Sequence, residues 1–121
     1  MKKNLFVLSA LGLLAMLTAC NSASAGYTVT GTMPDSTFNG KTIYIVNYDN
    51  NERVDSTVVK GDKYVFKGGN VDTALVAIVS TDRGNMPFLF ALENGNIVIT
   101  EDAEYDYNPT GTPLNDELTR L

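Results

Sequence analysis

The sequence predicts an all-β domain of about seven mostly antiparallel strands, arranged as a sandwich or a partly open barrel. A signal peptide precedes this domain, and the start of a short helix follows it. Three observations lead to this class. Short runs rich in Val, Ile, Thr, Tyr and Phe recur along the chain. Clusters of Gly, Asn and Asp separate the runs. No stretch between them has room for the crossover helix that a parallel sheet needs.

The first half of the domain contains four predicted strands. Residues 27–33 alternate apolar side chains with threonine, so we expect Tyr27, Val29 and Met33 to face inward. The next three strands are predicted at residues 42–48, 53–59 and 63–67. Gly61-Asp62 joins the last two as a two-residue hairpin loop with glycine first, the order that a type II′ turn needs.

The second half contains three more predicted strands. Residues 74–79 are an uninterrupted apolar run between chain breakers, which indicates a central strand buried on both faces. Strands at residues 88–93 and 96–100 follow. Asn94-Gly95 lies between these two apolar runs, and this dipeptide is typical of a tight hairpin.

The last twenty residues differ in character. Residues 101–112 are acidic and then rich in Pro, Gly and Thr, whereas Leu114, Leu118 and Leu121 recur at helical spacing. Thr112-Pro113 supplies an N-cap and a first helical residue. A helix of two turns is not stable in isolation. We therefore expect this helix to pack on the sandwich, to continue into a further domain, or to fray.

The N-terminus reads as an export signal. Lys2 and Lys3 precede an apolar run, residues 5–17, that is shorter than the ~20 residues of a membrane-spanning helix. Leu17-Thr18-Ala19-Cys20 ends the run and looks like a bacterial lipobox, which predicts lipid attachment to Cys20. Two alternatives stay open. Ala23-Ser24-Ala25 resembles an ordinary signal-peptidase site, and the cysteine is otherwise only a small residue in the tail of the signal.

These features predict four segments: a lipoprotein signal peptide at 1–19, a lipidated flexible tether at 20–26, the β domain at 27–101, and an acidic linker with the beginning of a helix at 102–121. The predicted location is the cell envelope, with the chain anchored to a membrane by lipid. No acidic run follows the cysteine, and we expect the periplasmic side rather than the cell surface.

The composition argues against several functional classes. The chain has no His, one Cys, 9 basic and 14 acidic residues, and a formal net charge of −5. The commonest zinc ligand and general base is missing, and one cysteine cannot form a redox pair. An acidic excess disfavours nucleic-acid binding. We therefore expect no enzyme activity, no metal, no cofactor and no nucleic-acid partner.

Several weaker constellations remain as alternatives. Asn39-Gly40-Lys41-Thr42 lacks the first glycine of a phosphate-binding loop. The acidic residues between 101 and 106 lack the frame of a calcium loop. Glu93 with Asp55 or Asp82 would form a carboxylate pair only if the fold brought them together. Ser56 has no evident base. Tyrosines are candidates for stacking on a sugar or a peptide, although strand tyrosines mostly pack: Tyr44, Tyr48, Tyr105 and Tyr107.

Three Asp-(Ser/Thr) pairs resemble the sequon of an O-glycosylation system found in some Gram-negative envelopes. They make Ser36, Ser56 and Thr73 candidate attachment sites. Such pairs are also common in turns and at strand edges. Ser36 lies in a predicted loop, whereas the predicted strand around Ser56 favours its burial.

The order of these features resembles a known family. The lipoprotein signal is followed by YTVTGT, VDSTVVKGDKYVFKG, FLFALENGNIVIT and GTPLNDEL. Over residues 26–121 the chain resembles a β-rich domain of unknown function that precedes thioredoxin-like domains, of the AhpC/TSA or TlpA-like type, in bacterial cell-envelope lipoproteins. The resemblance implies that the catalytic cysteine pair belongs to the downstream domain and that the C-terminal helix leads toward it. No catalytic residue carries over.

Three functions remain open at this point. The first is a lipid-anchored, non-catalytic envelope domain that binds or positions a partner. The second is the N-terminal portion of a thioredoxin-like thiol–disulfide oxidoreductase lipoprotein whose catalytic domain is absent. The third is a module that captures a glycan or a peptide. The expected partners are membrane lipid, through Cys20, and a thioredoxin-like domain or another envelope protein.

Overall fold

The computed structural model describes residues 26–102 and 106–120. The predicted signal peptide, the predicted lipidation site Cys20, Tyr105 and Leu121 lie outside the described residues. No helix in the described part of the chain is both long and apolar enough to cross a membrane.

Two β-sheets that share one core form the fold. Within the two described ranges the strands are β1 Tyr27–Thr32, β2 Thr42–Asn47, β3 Arg53–Val58, β4 Lys63–Gly68, β5 Leu75–Thr81, β6 Gly84–Asn85, β7 Phe90–Leu92, β8 Gly95–Glu101 and β9 Tyr107–Thr110, and the helix α1 is Pro113–Arg120. The first sheet has the order β4-β1-β8-β9. The second has the order β3-β2-β5, and β6 and β7 both pair with β5.

The predicted fold class is confirmed. Among the described strands, β1 pairs with β8 in parallel and the other pairs are antiparallel. These strands form two sheets and do not close into a barrel. All seven predicted strands are present. Tyr27, Val29 and Met33 are buried, as their alternation predicts. Strand β5 is central, as predicted, and Ala77, Ile78 and Val79 are buried on its two faces. Val76 is 42% exposed, so the predicted burial on both faces holds only for the second half of the run.

Two strands were not predicted. β6 is only two residues long, so it carries no readable period. β9 lies in the segment that the sequence assigned to an acidic linker, and it contains Pro109. Proline is tolerated there because β9 is the edge strand of its sheet. The assignment of residues 107–110 to a linker is therefore wrong.

The predicted hairpin at Asn94-Gly95 is also wrong. β7 pairs with β5 in the second sheet, whereas β8 pairs with β1 in the first, so the chain changes sheets at this dipeptide. The Asn94 side chain is used elsewhere, because its amide accepts from the Val71 N–H at 2.8 Å and donates to the Val71 carbonyl at 3.0 Å. The Gly95 N–H donates to the Gly26 carbonyl.

The two-residue loop at Gly61-Asp62 is present, but its type differs from the prediction. The φ angles of Gly61 and Asp62 are 57° and 64°, and two positive values define a type I′ turn rather than type II′. Lys60 and Lys63 close the loop with two backbone hydrogen bonds of 2.9 and 3.0 Å. Beyond this one bridge the strands diverge, because β3 belongs to the second sheet and β4 to the first.

The core lies between the two sheets. Both contribute side chains with no solvent exposure, chiefly Val, Ile, Leu and Phe at alternate strand positions. Those from the first sheet are Val29, Phe66 and Ile97. Those from the second are Ile43, Ile45, Ala77, Val79, Phe90 and Leu92. Burying one such side chain stabilises the fold by about 1.5–3 kcal/mol.

Two tyrosine–glycine pairs join β1 to β4. Tyr27 lies opposite Gly68, and Gly31 lies opposite Tyr64. A Cβ atom on Gly31 would come within 2.5 Å of the Tyr64 ring carbon that bears the hydroxyl. A Cβ atom on Gly68 would meet the Tyr27 ring as closely. The missing side chain of each glycine therefore leaves the space that the opposite aromatic ring occupies.

The helix α1 covers one side of the sandwich and contacts β9 and β7. Asn115 is its fully buried residue, and its side chain accepts from the Ala91 N–H and donates to the Ala91 carbonyl, both at 2.8 Å. The Glu93 carboxylate accepts the Leu114 N–H, whereas the predicted cap, Thr112, accepts from the Asn115 amide. Leu114 and Leu118 are almost half exposed.

Candidate functional site

An open cleft of about 610 Å³ lies between the diverging strands β3 and β4. We call it the β3/β4 gap. Its walls are Ser56, Thr57 and Val58 of β3 and Lys63, Tyr64 and Val65 of β4, and Lys60 lies at its closed end. It exists because the chain changes sheets immediately after a tight turn. The two sheets join at this turn and separate beyond it.

Main-chain groups of both strands point into the β3/β4 gap. Lys63 directs its N–H and carbonyl toward Lys60. Successive residues of a strand point these groups to opposite sides, so Val65 and Lys67 present theirs to the gap. Val58 does the same from the β3 side. Within the described chain, β3 and β4 are edge strands, and neither has a strand partner on this side.

The two edges differ in how they are protected. On β3, the Asp55 carboxylate accepts the Ser56 N–H at 2.7 Å, so a gap-facing donor of that strand is already satisfied. On β4, the structure gives the gap-facing groups of Val65 and Lys67 no such partner within the described residues. Val65 is 46% exposed. Val58 of β3 also faces the gap and is 42% exposed. β4 is the more open of the two edges, because none of its gap-facing donors beyond the turn has an internal acceptor within the described residues.

Basic side chains surround this open edge. Lys60 and Lys63 lie directly opposite each other across the turn, and like charges in that position destabilise a strand pair. The ion pairs found within the described residues are Lys41–Asp82, Arg83–Asp35 and Arg120–Glu117. Lys60, Lys63 and Lys67 take part in none of these. In a protein with net charge −5, three lysines that form no ion pair within the described ranges thus lie at this turn and along β4.

The sequence analysis did not select these lysines. The available signal was Lys60-Gly61-Asp62-Lys63, a two-residue turn flanked by like charges. That signal becomes meaningful only when β3 and β4 are known to lie in different sheets. In an ordinary hairpin the same lysines would flank a closed ladder.

The carboxylates considered as a catalytic pair each have a separate structural partner. The Asp82 carboxylate accepts from the Lys41 ammonium at 2.9 Å, and this hydrogen bond lowers the pKa of Asp82. Glu93 caps α1 through the Leu114 N–H. Asp55 accepts from the Tyr27 hydroxyl at 2.7 Å. These contacts give each of the three carboxylates a structural role.

The bond between Tyr27 and Asp55 ties β1 of the first sheet to β3 of the second. Burial raises the pKa of the Tyr27 hydroxyl, and the hydrogen bond to Asp55 raises it further. Burial also raises the pKa of Tyr64. The Val-Asp-Ser stretch of β3 therefore has a structural role, because its aspartate faces inward between the sheets.

The tyrosines considered as a stacking platform do not form one surface in the described residues. The Arg53 guanidinium lies 3.9 Å from the Tyr44 ring centroid and covers it. Tyr107 stacks on Phe88 at 4.8 Å. Tyr48 is 56% exposed, and Tyr105 lies outside the described residues. Of the three described candidates, two use their rings to contact the protein itself.

The candidate glycosylation sites are all on the surface. Ser36 begins a short 3₁₀ helix, Ser36–Phe38, and Thr73 precedes β5, and both are exposed. Ser56 is exposed as well, contrary to the burial that its strand favours, because it lies on the outer face of an edge strand. The lipidation candidate Cys20 lies outside the described residues.

The remaining constellations have structural explanations. Among the described residues, no group of three or more His, Cys, Asp or Glu side chains is arranged to hold a metal ion. The Asn39-Gly40-Lys41-Thr42 stretch leads into strand β2 rather than a helix, so it lacks the geometry of a phosphate-binding loop.

Comparison with known proteins identifies the family to which the chain belongs. No curated protein and no solved structure shows a significant match to the chain. The family described as "Domain of unknown function (DUF4369)" matches residues 27–118, which span every strand of the two sheets and most of α1. The chain therefore belongs to the DUF4369 family.

Proposed function

We propose that the protein is a lipid-anchored, non-catalytic module of the cell envelope that holds a partner at a membrane surface, on the periplasmic side. The observation that carries the binding role is the open β4 edge. The carboxylates that stood as candidate catalysts make structural contacts, whereas in the part of the chain that the structure describes the lysines around this edge form no ion pair. The apolar run ending at Leu17-Thr18-Ala19-Cys20 supports the anchor.

Metabolic labelling with a fatty acid tests the anchor. We expect the protein to carry the label and the Cys20→Ser variant to lose it. Thioether formation needs a thiol, and Cys20 is the one cysteine of the sequence. Ser22→Ala is the matched control, and it should keep the label. A mature protein whose mass begins at unmodified Gly26 would contradict the proposal.

The absence of catalysis is tested on the purified protein. We expect no reduction of a disulfide substrate and no hydrolysis of ester or glycoside substrates. The chain has no histidine to act as a general base, and its one cysteine is the proposed lipidation site. Turnover of any of these substrates that survives further purification would overturn the non-catalytic assignment.

A second candidate function is the N-terminal portion of a thioredoxin-like oxidoreductase lipoprotein. The half-exposed Leu114 and Leu118 of α1 favour it, since a helix that leads into another domain would cover them. Reading the coding sequence beyond codon 121 tests this candidate. A downstream thioredoxin-like domain would support it, and an immediate stop codon would remove it.

The surface positions of Ser36, Ser56 and Thr73 support O-glycosylation as an accompanying modification. The intact mass of the protein purified from its native envelope tests this. We expect sugar mass that decreases in Ser36→Ala. An unmodified mass in the native protein would exclude all three sites.

A further inference from the structure

We infer that the β3/β4 gap accepts an extended acidic peptide, which adds to β4 as a further strand. The inference deepens the proposed function and rests on it, because it names the class of partner that the module holds. The gap is the region where the sandwich is open, and the first sheet ends there in β4.

The backbone supplies the first part of the argument. Peptides that add to a sheet gain affinity from main-chain hydrogen bonds to an unpaired edge. Val65 and Lys67 direct their main-chain groups into the gap, beyond the bridge that Lys60 and Lys63 close. Val65 is solvent-exposed, and the backbone hydrogen bonds of the described residues leave its gap-facing groups available to an incoming strand.

The charge pattern commits the site to acidic peptides. Along the exposed face of β4 the side chains read Lys63, Val65 and Lys67. Cross-strand neighbours interact most strongly when they are directly opposite. Lys60 already occupies the position directly opposite Lys63, so an added strand pairs from Val65 onward. An apolar residue opposite Val65 would cover the valine, and an acidic residue opposite Lys67 would neutralise that lysine. An acidic residue at the end of the strand nearest the turn would reach Lys60 and Lys63 as a diagonal neighbour.

Lysines on sheet edges also discourage pairing between copies of a protein. This effect does not oppose the inference, because repulsion acts on basic or neutral strands and not on acidic ones. Protection of a sheet edge does not explain the Lys60–Lys63 pair. It places two like charges opposite each other at the closed end of the gap, and an anionic side chain there would relieve their repulsion.

The probe is a dye-labelled peptide, acetyl-Ser-Glu-Thr-Val-Thr-Glu-Ser-amide, whose Glu, Val and Glu match the spacing of Lys63, Val65 and Lys67. Binding is measured by fluorescence anisotropy against the full chain in detergent. We expect saturable binding, and none for peptides in which both glutamates are lysine or the central Thr-Val-Thr is replaced by three prolines, because the three prolines remove the N–H groups that would face β4 in either strand direction. Equal binding of the three peptides, or binding of none, would overturn the inference while leaving the lipid-anchor proposal intact.

Two pairs of variants locate the site. Val65→Pro removes a gap-facing donor without removing a bond to β1, and we expect it to abolish binding, whereas Val58→Pro on the opposite wall should keep most of it. Lys63→Glu should weaken binding by about tenfold. Arg120→Glu, which changes net charge equally on α1, should not. Loss caused by Val58→Pro alone, or equal loss from both charge reversals, would contradict the assignment. The charge pair decides if a proline variant fails to fold.

Discussion

At the scale of single residues, the glycines of β1 and β4 have a packing function. Tyr27 and Tyr64 each lie across the glycine on the neighbouring strand, so the rings are buried close to the backbone. Sequence reading recognised the inward direction of Tyr27 from its alternation. It did not identify the role of Gly31, because that role depends on a residue of another strand.

Replacing Gly31 with alanine is expected to destabilise the protein by about 1–3 kcal/mol, as overpacking of a well-packed core does. The added methyl would overlap the Tyr64 ring, which is 2% exposed and has little room to move. Urea unfolding measures the free energy. Gly69→Ala is the matched control, because a Cβ there meets no atom within 4 Å. Equal stability of the two variants would contradict this packing.

Tyr27 also predicts a dependence of stability on pH. Its pKa is raised by burial and by the hydrogen bond to Asp55, and ionisation is therefore easier in the unfolded chain, near pH ~10. The stabilisation is complete below that pH and is lost as the pH rises above it. We expect the urea midpoint to fall above pH ~10, and less steeply in Tyr27→Phe. Tyr64, whose pKa is also raised, accounts for a remainder. An unchanged slope in Tyr27→Phe would contradict the argument.

At the scale of elements, α1 depends on one polar side chain. Asn115 satisfies both main-chain groups of Ala91, on the side of β7 that has no strand partner within the described chain. The periodicity of the leucines predicted the helix correctly. The same periodicity suggested that the leucines need a surface to cover them. In the structure Asn115 is the fully buried residue of the helix, and Leu114 and Leu118 stay almost half exposed. A hydrophobic pattern cannot reveal a helix that docks through hydrogen bonds.

Asn115→Ala is expected to lower the free energy of unfolding by about 2–4 kcal/mol, since it leaves a buried N–H and a buried carbonyl without partners. Chemical denaturation monitored by circular dichroism measures the change. Glu117→Ala, on the exposed side of the same helix, should stay within about 0.5 kcal/mol of the unchanged protein. A loss no larger than that of Glu117→Ala would show that α1 is held by other contacts.

At the scale of the whole molecule, α1 covers one side of the sandwich and the other side is open at β3 and β4. The seven predicted strands followed from local runs of apolar, β-branched and aromatic residues between turn signals, which each segment carries by itself. The sequence did not predict which strands share a sheet, because Gly61-Asp62 and Asn94-Gly95 are turn signals that normally join paired strands. Here the chain changes sheets at both, and the candidate site arises at the first of them.

Amide hydrogen exchange along β4 tests the open edge most directly. The account predicts alternation: the N–H groups of Tyr64 and Phe66 face β1 and exchange slowly, whereas those of Val65 and Lys67 face the gap and exchange rapidly. Strong protection of Val65 and Lys67 in the isolated protein would mean that the edge already has a partner, and it would contradict the central claim that β4 is free to accept one.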